Sequence, residues 1–280
     1  MYLILRNKKD IYFWKALYKK YNIEEIYALN SNNFMFKILK KFQIIILGKW
    51  KKNIKKYNKI IIFESLYDKK ISKTIRKKNP HCKIIVYFWN FIDEHNKYVL
   101  KDANVDEFWT FDKQDSDKYK LKYNPQFYTK EIKIENNKNK NKDIVFLGRS
   151  KDRKNEILVI DNIMKEKGLI TDFKIIDKDF VSYDKYLEML SDTKSILDYN
   201  QKGQCGLTLR PMEALFLEKK PITNNKDIKN YNFYNPNNIF ILGEDNIEEI
   251  HKFIDKPYEK IDKEIIEYYD FEQWLSRFEG

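Results

Sequence analysis

The fold of this chain is decided by one stretch, SILDYNQKGQCGLTLRPMEALF, which spans residues 195–216. Its first five residues form an apolar run that predicts a buried strand, and a turn containing Gly206 follows. Thr208 suits a helix N-cap because its hydroxyl can accept a hydrogen bond from a first-turn amide. Pro211 is tolerated in that first turn, where amides have no helical partner. The stretch therefore predicts strand, turn and helix, the repeating unit of a parallel α/β sheet.

Two charged side chains stand near the start of this helix. Arg210 and Glu213 are three residues apart, away from the apolar face of Leu209, Met212, Leu215 and Phe216. We expect both to point outward from a helix N-terminus whose free amides favour an anion such as phosphate. The pattern predicts a nucleotide site at the carboxyl end of a strand. A structural Arg–Glu pair on an ordinary βα unit is the alternative.

Short apolar runs alternate with amphipathic stretches along the whole chain, which indicates α/β architecture with doubly wound parallel sheets. In the first half the predicted strands are 2–5, 44–47, 59–63, 83–88 and 107–110, and the predicted helices are 11–21, 34–42 and 69–78. In the second half the predicted strands are 143–147, 173–177, 195–199, 220–223 and 238–242. The helical patterns there are 154–167, 183–191, the residues after Gly206, 247–254 and 263–278.

A polar run over residues 133–142 has almost nothing to bury and is the best linker in the chain. We therefore predict an N-terminal domain over 1–135, a linker over 136–142 and a C-terminal domain over 143–262. A final helix over 263–280 can pack back on the N-terminal domain. An exposed loop within a single domain is the alternative reading of the polar run.

Length and cysteine content limit the protein class. A chain of 280 residues can bury a sizeable core, and its 42% hydrophobic content is that of a globular protein. Cys82 and Cys205 lie far apart and provide neither a disulfide framework nor a zinc spacing, which favours a reducing, cytoplasmic setting. No apolar run approaches the roughly 18 residues of a membrane-spanning helix.

Charge is divided unevenly along the chain. Residues 1–142 contain 33 Lys and Arg against 15 Asp and Glu, whereas residues 143–280 contain 21 against 27. The basic half is expected to face an anionic partner, such as nucleic acid, the anionic face of a membrane or a phosphorylated acceptor. A solvated lysine-rich surface with no specific partner is the alternative.

A second candidate site follows the first strand of the second half. Gly148 allows a close backbone approach, and Arg149, Arg153 and Lys154 could neutralise a diphosphate. Because ligands of open α/β sheets bind at the carboxyl ends of the strands, this turn and the Gly206 turn could share one crevice. The sequence matches neither a dinucleotide glycine fingerprint nor a Walker loop. A solvated basic helix start is the alternative.

Several of these segments together resemble bacterial lipopolysaccharide and capsule glycosyltransferases of the GT-B fold. The resemblance spans most of the chain and is most specific from about residue 195 to 240. The segments that carry it are 86–90, 108–112, 123–128, 143–149, 195–198, 204–215, 220–224 and 230–239.

The resemblance implies two Rossmann-like domains with parallel sheets facing a central cleft: a basic N-terminal acceptor domain and a C-terminal nucleotide-sugar donor domain. Glu213 would bind the donor ribose, and Arg210 would contact phosphate or orient Glu213. The remaining donor-binding residues would be Gly148, Arg149, Lys154, Gln204, Gly206, Leu207 and Thr208. The family generally needs no bound metal. We therefore expect no cofactor.

One departure from the family concerns stereochemistry. Many retaining members carry a second glutamate upstream of the ribose-binding one, and the matching position here falls near Gly206, which cannot serve. Retention or inversion of configuration stays open. An inverting mechanism would need a general base, for which Asp93, Glu94 or His95 after strand 83–88 is the candidate cluster. A polar loop after a strand is the alternative.

The sequence thus predicts a nucleotide-sugar-dependent glycosyltransferase, similar to hexosyltransferases, that extends a bacterial surface glycan. Its partners would be a lipid-linked or anionic glycan acceptor and an anionic membrane surface, with no nucleic acid expected. We expect a cytoplasmic protein, peripheral at the inner face of the cytoplasmic membrane. The alternatives are a nucleic-acid-binding protein that uses the basic half, and a non-catalytic GT-B-like partner subunit.

Overall fold

The chain forms two compact units in a computed structural model, Met1–Pro125 and Gln126–Gly280. The residues that precede the predicted linker, 126–135, therefore group with the second unit. The structure describes residues 1–6, 13–29, 33–41, 46–65, 67–135, 137, 140–176, 181–201, 204 and 206–279.

The first unit contains a fully parallel six-stranded sheet in the order β2-β1-β3-β4-β5-β6. Its strands are β1 (Tyr2–Arg6), β2 (Ile23–Glu25), β3 (Lys59–Phe63), β4 (Lys83–Phe88), β5 (Glu107–Thr110) and β6 (Lys122–Tyr123). Its helices are α1 (Trp14–Leu17), α2 (Phe34–Lys41), α3 (Lys69–Lys78) and α4 (Lys113–Tyr119). Single 3₁₀ turns occur at Lys49–Lys52, Ile54–Lys56 and Lys97–Lys101.

The second unit contains a parallel five-stranded sheet in the order β11-β10-β9-β7-β8. Its strands are β7 (Lys142–Arg149), β8 (Thr171–Ile176), β9 (Thr193–Asp198), β10 (Lys220–Thr223) and β11 (Phe240–Ile241). Its helices are α5 (Lys154–Glu166), α6 (Tyr183–Ser191), α7 (Leu209–Phe216), α8 (Ile250–Asp255), α9 (Lys263–Tyr268) and α10 (Phe271–Ser276). The 3₁₀ turns are Lys226–Asn230, Ile247–Glu249 and Arg277–Glu279.

Burial explains why these strands are central. Ile60, Ile61 and Ile62 on β3 have no exposed surface, as expected for a parallel strand covered on both faces. Asp68 is the N-cap of helix α3, and its side chain accepts a hydrogen bond from the Lys70 amide at 2.8 Å. The predicted α/β class with two Rossmann-like parallel sheets is confirmed. A cleft between the units remains a prediction.

The predicted continuous helix 263–278 is wrong, because the chain breaks between α9 and α10. The Tyr128 amide donates to the Tyr269 carbonyl at 3.0 Å, and the Phe271 amide donates to the Tyr128 carbonyl at 2.8 Å. These bonds divert the backbone from helix geometry at that point. Trp274 then packs on Phe127 with ring centroids 4.2 Å apart, so the C-terminal segment is anchored by residues of its own unit.

Other predicted boundaries also differ from the structure. Of the predicted helix 11–21, the described residues 13–21 form only α1, Trp14–Leu17. The strand predicted over 143–147 ends later, because β7 continues through Arg149 in register with Ile176 of β8. Of the predicted strand 44–47, residues 44 and 45 lie outside the described residues. Leu47 forms an isolated antiparallel bridge with Tyr27. Within the described residues, no helix is long and apolar enough to cross a membrane.

Strand order places the candidate site. In the second sheet, β7 is flanked by β8 on one side and β9 on the other, so the loops that follow β7 and β9 run to opposite sides. Open α/β sheets bind ligands at this switch point, outside the carboxyl ends of the strands. In the second unit such a crevice would lie beyond Arg149 and Asp198.

Candidate functional site

The two loops predicted to share a crevice are brought together at the carboxyl edge of the second sheet. The Lys151 Nζ after β7 donates to Gln201 Oε1 after β9 at 2.6 Å, and Gln201 Nε2 donates to Asp152 Oδ1 at 3.1 Å. The Arg153 guanidinium donates to the Tyr199 carbonyl. Three contacts thus join the loops at the switch point.

The start of α7 forms as predicted and holds a buried carboxylate. Thr208 caps the helix, since its Oγ1 accepts from the Arg210 amide at 3.2 Å. The same hydroxyl donates to Asp198 Oδ1 at 2.6 Å, and Thr223 Oγ1 donates to Asp198 Oδ2 at 3.1 Å. Asp198 has no exposed surface. The last residue of β9 therefore anchors α7 and β10 together.

Arg210 lies across the end of β7. Its Nη2 donates to the Leu147 carbonyl at 2.7 Å, its Nη1 is 3.8 Å from Asp198 Oδ1, and its guanidinium stacks 4.9 Å from the centre of the Phe146 ring. A Cβ built on Gly148 would lie 2.4 Å from Arg210 Nη2. Gly148 is therefore required to leave room for Arg210, whereas the sequence suggested close approach of a ligand.

Positive charge exceeds negative charge around Asp198. Arg210, Arg153 and Lys151 surround this crevice; Arg153 is 7% exposed, while Lys151 stays exposed at the rim. Partial loss of hydration is the main cause that lowers the pKa of Lys151, and the positive charges of Arg153 and Arg210 lower it further. Burial, followed by the charge of Arg210, lowers the pKa of Arg153. The charges of the two neighbouring acids, Asp198 and Asp152, do not balance these three cations.

Unused hydrogen-bonding atoms also collect here. Arg153 Nε and Arg210 Nε are buried and have no partner among the described residues. The side chain of Asn200, 4% exposed, donates to the Gln204 and Gly206 carbonyls, while its Oδ1 has no described partner. Buried polar atoms are rarely left unpaired in folded proteins. Two unpaired cationic donors in one crevice favour an anionic ligand.

Glu213 does not point outward, so that expectation is wrong. Its side chain is 2% exposed and accepts hydrogen bonds from Tyr183 at 2.8 Å on Oε1 and from Tyr186 at 3.1 Å on Oε2. The hydroxyls of Tyr128 and Tyr183 are 2.6 Å apart and extend this network. Burial raises the pKa of Glu213 to about 7, although the bond from Tyr183 and the charge of Arg210 oppose the shift. The cause is helix phase, since the face that carries Glu213 packs on α6.

The other predicted donor-binding residues are distributed around the same edge. Arg149 and Lys154 are exposed, Gln204 is half-buried, and Gly206 is buried. Leu207 has no exposed side-chain surface, so it can offer a ligand only its backbone. Cys205 lies outside the described residues.

The proposed general-base cluster lies in a turn of the first unit. Asp93 Oδ1 accepts from the backbone amides of His95 at 2.8 Å and Asn96 at 3.2 Å, so it stabilises the turn and does not orient the imidazole. Glu94 is exposed and pairs with Lys97. His95 is exposed as well. The geometry offers no support for a base at these positions, and their role stays a prediction.

Substituting Gly148 by alanine should displace Arg210. The added methyl would overlap Arg210 Nη2 and lie 2.9 Å from the Phe146 ring, and overpacking of this kind costs about 1–3 kcal/mol of unfolding free energy. Urea unfolding measures the loss. The double variant Gly148→Ala/Arg210→Ala should recover part of it, because the nearest clash is gone. A double variant that simply adds the two losses would contradict this role of Gly148.

Comparison with known proteins leaves the family open. No protein-family model matches the chain, and no curated protein matches it. Among solved structures, the chain is similar to an NAD⁺-bound 3-phosphoglycerate dehydrogenase from Entamoeba histolytica, at 11% identity. The alignment covers 99% of this chain and 94% of that one, with a TM-score of 0.23. A TM-score this low carries no functional argument.

Proposed function

We propose that the protein is a glycosyltransferase whose second unit binds a nucleoside diphosphate sugar at the switch point between β7 and β9. The observation that carries the proposal is the excess of positive charge there. Lys151, Arg153 and Arg210 face two carboxylates, Asp198 and Asp152, and two guanidinium Nε–H groups have no described partner. A diphosphate would supply the missing negative charge and accept from both groups.

The same side chains supply what sugar transfer from a nucleotide requires. As the bond between the sugar and the diphosphate breaks, negative charge develops on the leaving phosphate. Cationic donors fixed in a partly dehydrated crevice stabilise that charge without having to reorganise. In this proposal Arg210 and Arg153 bind the phosphates, and Lys151 closes the rim. The sugar would pass to a bacterial surface glycan, as the sequence resemblance implies.

The role of Glu213 in the proposal needs a conformational condition. Both carboxylate oxygens accept from tyrosine hydroxyls, so a ribose could reach Glu213 only if Tyr183 or Tyr186 turned away. The diphosphate contacts do not depend on these tyrosines. Binding of the diphosphate group is therefore the sharper test of the proposed site.

A thermal-shift screen with UDP, GDP, CMP, dTDP and ADP, with and without divalent metal, tests the proposal. A ligand bound only by the folded state should add about 2.7 kcal/mol of stability at a hundred times its Kd. We expect one nucleoside diphosphate to raise the Tm without metal. Arg210→Gln should weaken its binding about tenfold or more, since a hydrogen bond to a charged group contributes roughly 1.5–3 kcal/mol.

Arg277 provides a matched control. Its Nη1 also donates to a backbone carbonyl, that of Tyr268 at 2.9 Å, and its guanidinium also stacks on an aromatic ring at 4.4 Å. Arg277→Gln should leave nucleotide affinity unchanged. Absence of a shift with every nucleotide, or equal losses in both variants, would overturn the assignment of the site.

A further inference from the structure

The first unit contains a lysine-rich segment without acidic residues, and neither the sheet nor the core of the unit accounts for that composition. From Ile26 to Phe63 the chain has nine lysines and no Asp, Glu or Arg. Helix α2 and the two 3₁₀ turns between Lys49 and Lys56 lie within this acid-free segment. We name its exposed part the α2 surface: Phe34, Met35, Lys37, Lys41, Ile46, Lys49, Lys52, Lys55 and Lys56.

Helix α2 is fixed to the unit by one side and presents the other to solvent. Phe36 packs on Tyr27 with ring centroids 5.1 Å apart and against the core of the unit. Phe34 is 77% exposed and Met35 is 54% exposed, at the first turn of the helix. Phe34, Lys37 and Lys41 share one face at helical spacing. Two large apolar side chains are therefore held in water beside lysines.

The basic turns begin where the chain returns from this helix to the body of the unit. The Ala28 amide donates to the Ile46 carbonyl, and the Gly48 amide donates to the Ile26 carbonyl, both at 2.9 Å. These bonds join the two ends of the segment that contains α2, and the 3₁₀ turn Lys49–Lys52 follows directly. Trp50 is fully buried and donates to the Ile26 carbonyl at 3.0 Å, which fixes the turn so that Lys49 and Lys52 face outward.

The lysines of the α2 surface have no acidic counterparts. Within the described ranges, none of Lys37, Lys41, Lys49, Lys52, Lys55 and Lys56 forms an ion pair, whereas lysines of the second unit such as Lys165, Lys167 and Lys185 do. The positive charge is thus left for a partner. An extended anionic partner that also accepts apolar side chains would complement both properties of this surface.

We propose that the α2 surface docks the protein on an anionic lipid bilayer, with Phe34 and Met35 entering the headgroup boundary and the lysines facing lipid phosphates. An amphipathic helix with aromatic and apolar residues on one side and lysines beside them is the signature of interfacial membrane binding. Exposed lysines draw such a surface to an anionic leaflet. Nucleic acid fits less well, because Phe34 and Met35 would remain in water and arginine is absent from the segment.

Vesicle co-sedimentation tests the inference. The full chain should bind vesicles of phosphatidylcholine with phosphatidylglycerol and not vesicles of phosphatidylcholine alone. Phe34→Ser/Met35→Ser should lose most of the binding. Lys52→Glu/Lys55→Glu should weaken it at least twenty-fold, taking about fivefold for each lysine removed. Added salt should weaken binding of the wild-type chain by screening the lysines.

A matched apolar control exists on the second unit. Leu158 and Val159 on α5 are 43% and 55% exposed, so Leu158→Ser/Val159→Ser removes a comparable exposed pair elsewhere. That variant should bind vesicles like wild type. Equal loss in both serine variants would overturn the inference. Retention of vesicle binding by Phe34→Ser/Met35→Ser would also overturn it. So would duplex DNA that displaces this variant and the wild-type protein from vesicles to the same extent.

The inference does not depend on the nucleotide site. Phe34→Ser/Met35→Ser should keep the wild-type Tm and the wild-type response to nucleotide, whereas Arg210→Gln should keep vesicle binding. Loss of nucleotide binding in Arg210→Gln together with intact vesicle binding separates the two proposals. A protein that binds nucleotide but no vesicle would leave the proposed function standing and reject the α2 surface.

Discussion

Asp198→Ala is expected to destabilise the protein by about 3–5 kcal/mol, the cost of breaking a buried charge pair by removing one partner. Asp198 is fully buried and accepts from the hydroxyls of Thr208 and Thr223. One of its carboxylate oxygens lies 3.8 Å from Arg210 Nη1. Alanine would leave two hydroxyls without their acceptor and increase repulsion among the cations. Urea unfolding followed by circular dichroism measures the loss.

Asp198→Asn separates shape from charge. Asparagine retains the size of the side chain and one acceptor oxygen, so the unfolding free energy should fall less than in Asp198→Ala. The crevice would also gain one net positive charge, and its affinity for an anion should rise. Inorganic pyrophosphate should therefore raise the Tm of Asp198→Asn more than that of wild type. A smaller shift in the variant would contradict an anion site at this position.

Much of the fold follows from local pattern. The bounds of β3, β4, β5, β10, α3 and α6 agree with those predicted, because each is an unbroken apolar or amphipathic run between polar residues. Helix α4 was not predicted, because Lys113–Tyr119 is polar and lacks an apolar face. Its signal is Asp112, whose side chain accepts from the Gln114 and Asp115 amides. The short β2 and β6 depend on pairing with neighbouring strands, which no local pattern reveals.

The sequence predicts which loops lie near each other at the candidate site better than it predicts the contacts of each side chain. Thr208, Arg210 and Gly148 were identified from the strand–turn–helix pattern, and the structure brings them together. Glu213 was expected outside because Arg210 and Glu213 share a helical side in projection. Only the packing of α6 against α7 shows that Arg210 faces the end of β7 whereas Glu213 is buried against α6. Asp198 had a signal of its own, a carboxylate within an apolar strand.

The Glu213 carboxyl makes stability depend on pH near neutrality. Burial raises its pKa to about 7 from the ordinary 4.5. Between these values the unfolded chain releases a proton that the folded chain retains, so stability falls as pH rises through that window. A shift of this size corresponds to roughly 3 kcal/mol. Glu213→Gln removes the ionisation and retains an acceptor for Tyr183. We expect its unfolding free energy to stay nearly constant across the window and to exceed that of wild type above pH 7.

Lys219 makes stability rise with pH above about pH 7, which is opposite to the effect of Glu213 below it. This lysine is fully buried at the start of β10, its Nζ donates to the Thr193 carbonyl at 2.8 Å, and burial lowers its pKa to about 7 from 10.5. Between those values the unfolded chain holds a proton that the folded chain has lost, so stability rises with pH. Together the two groups predict a stability minimum near pH 7. Denaturant titrations over this range should show that Glu213→Gln flattens only the acid limb. Lys219→Met should reduce only the alkaline limb, to which Lys220 also contributes because burial lowers its pKa to about 8. A pH profile that neither substitution alters would contradict both assignments, because the difference between variant and wild type isolates the contribution of each group.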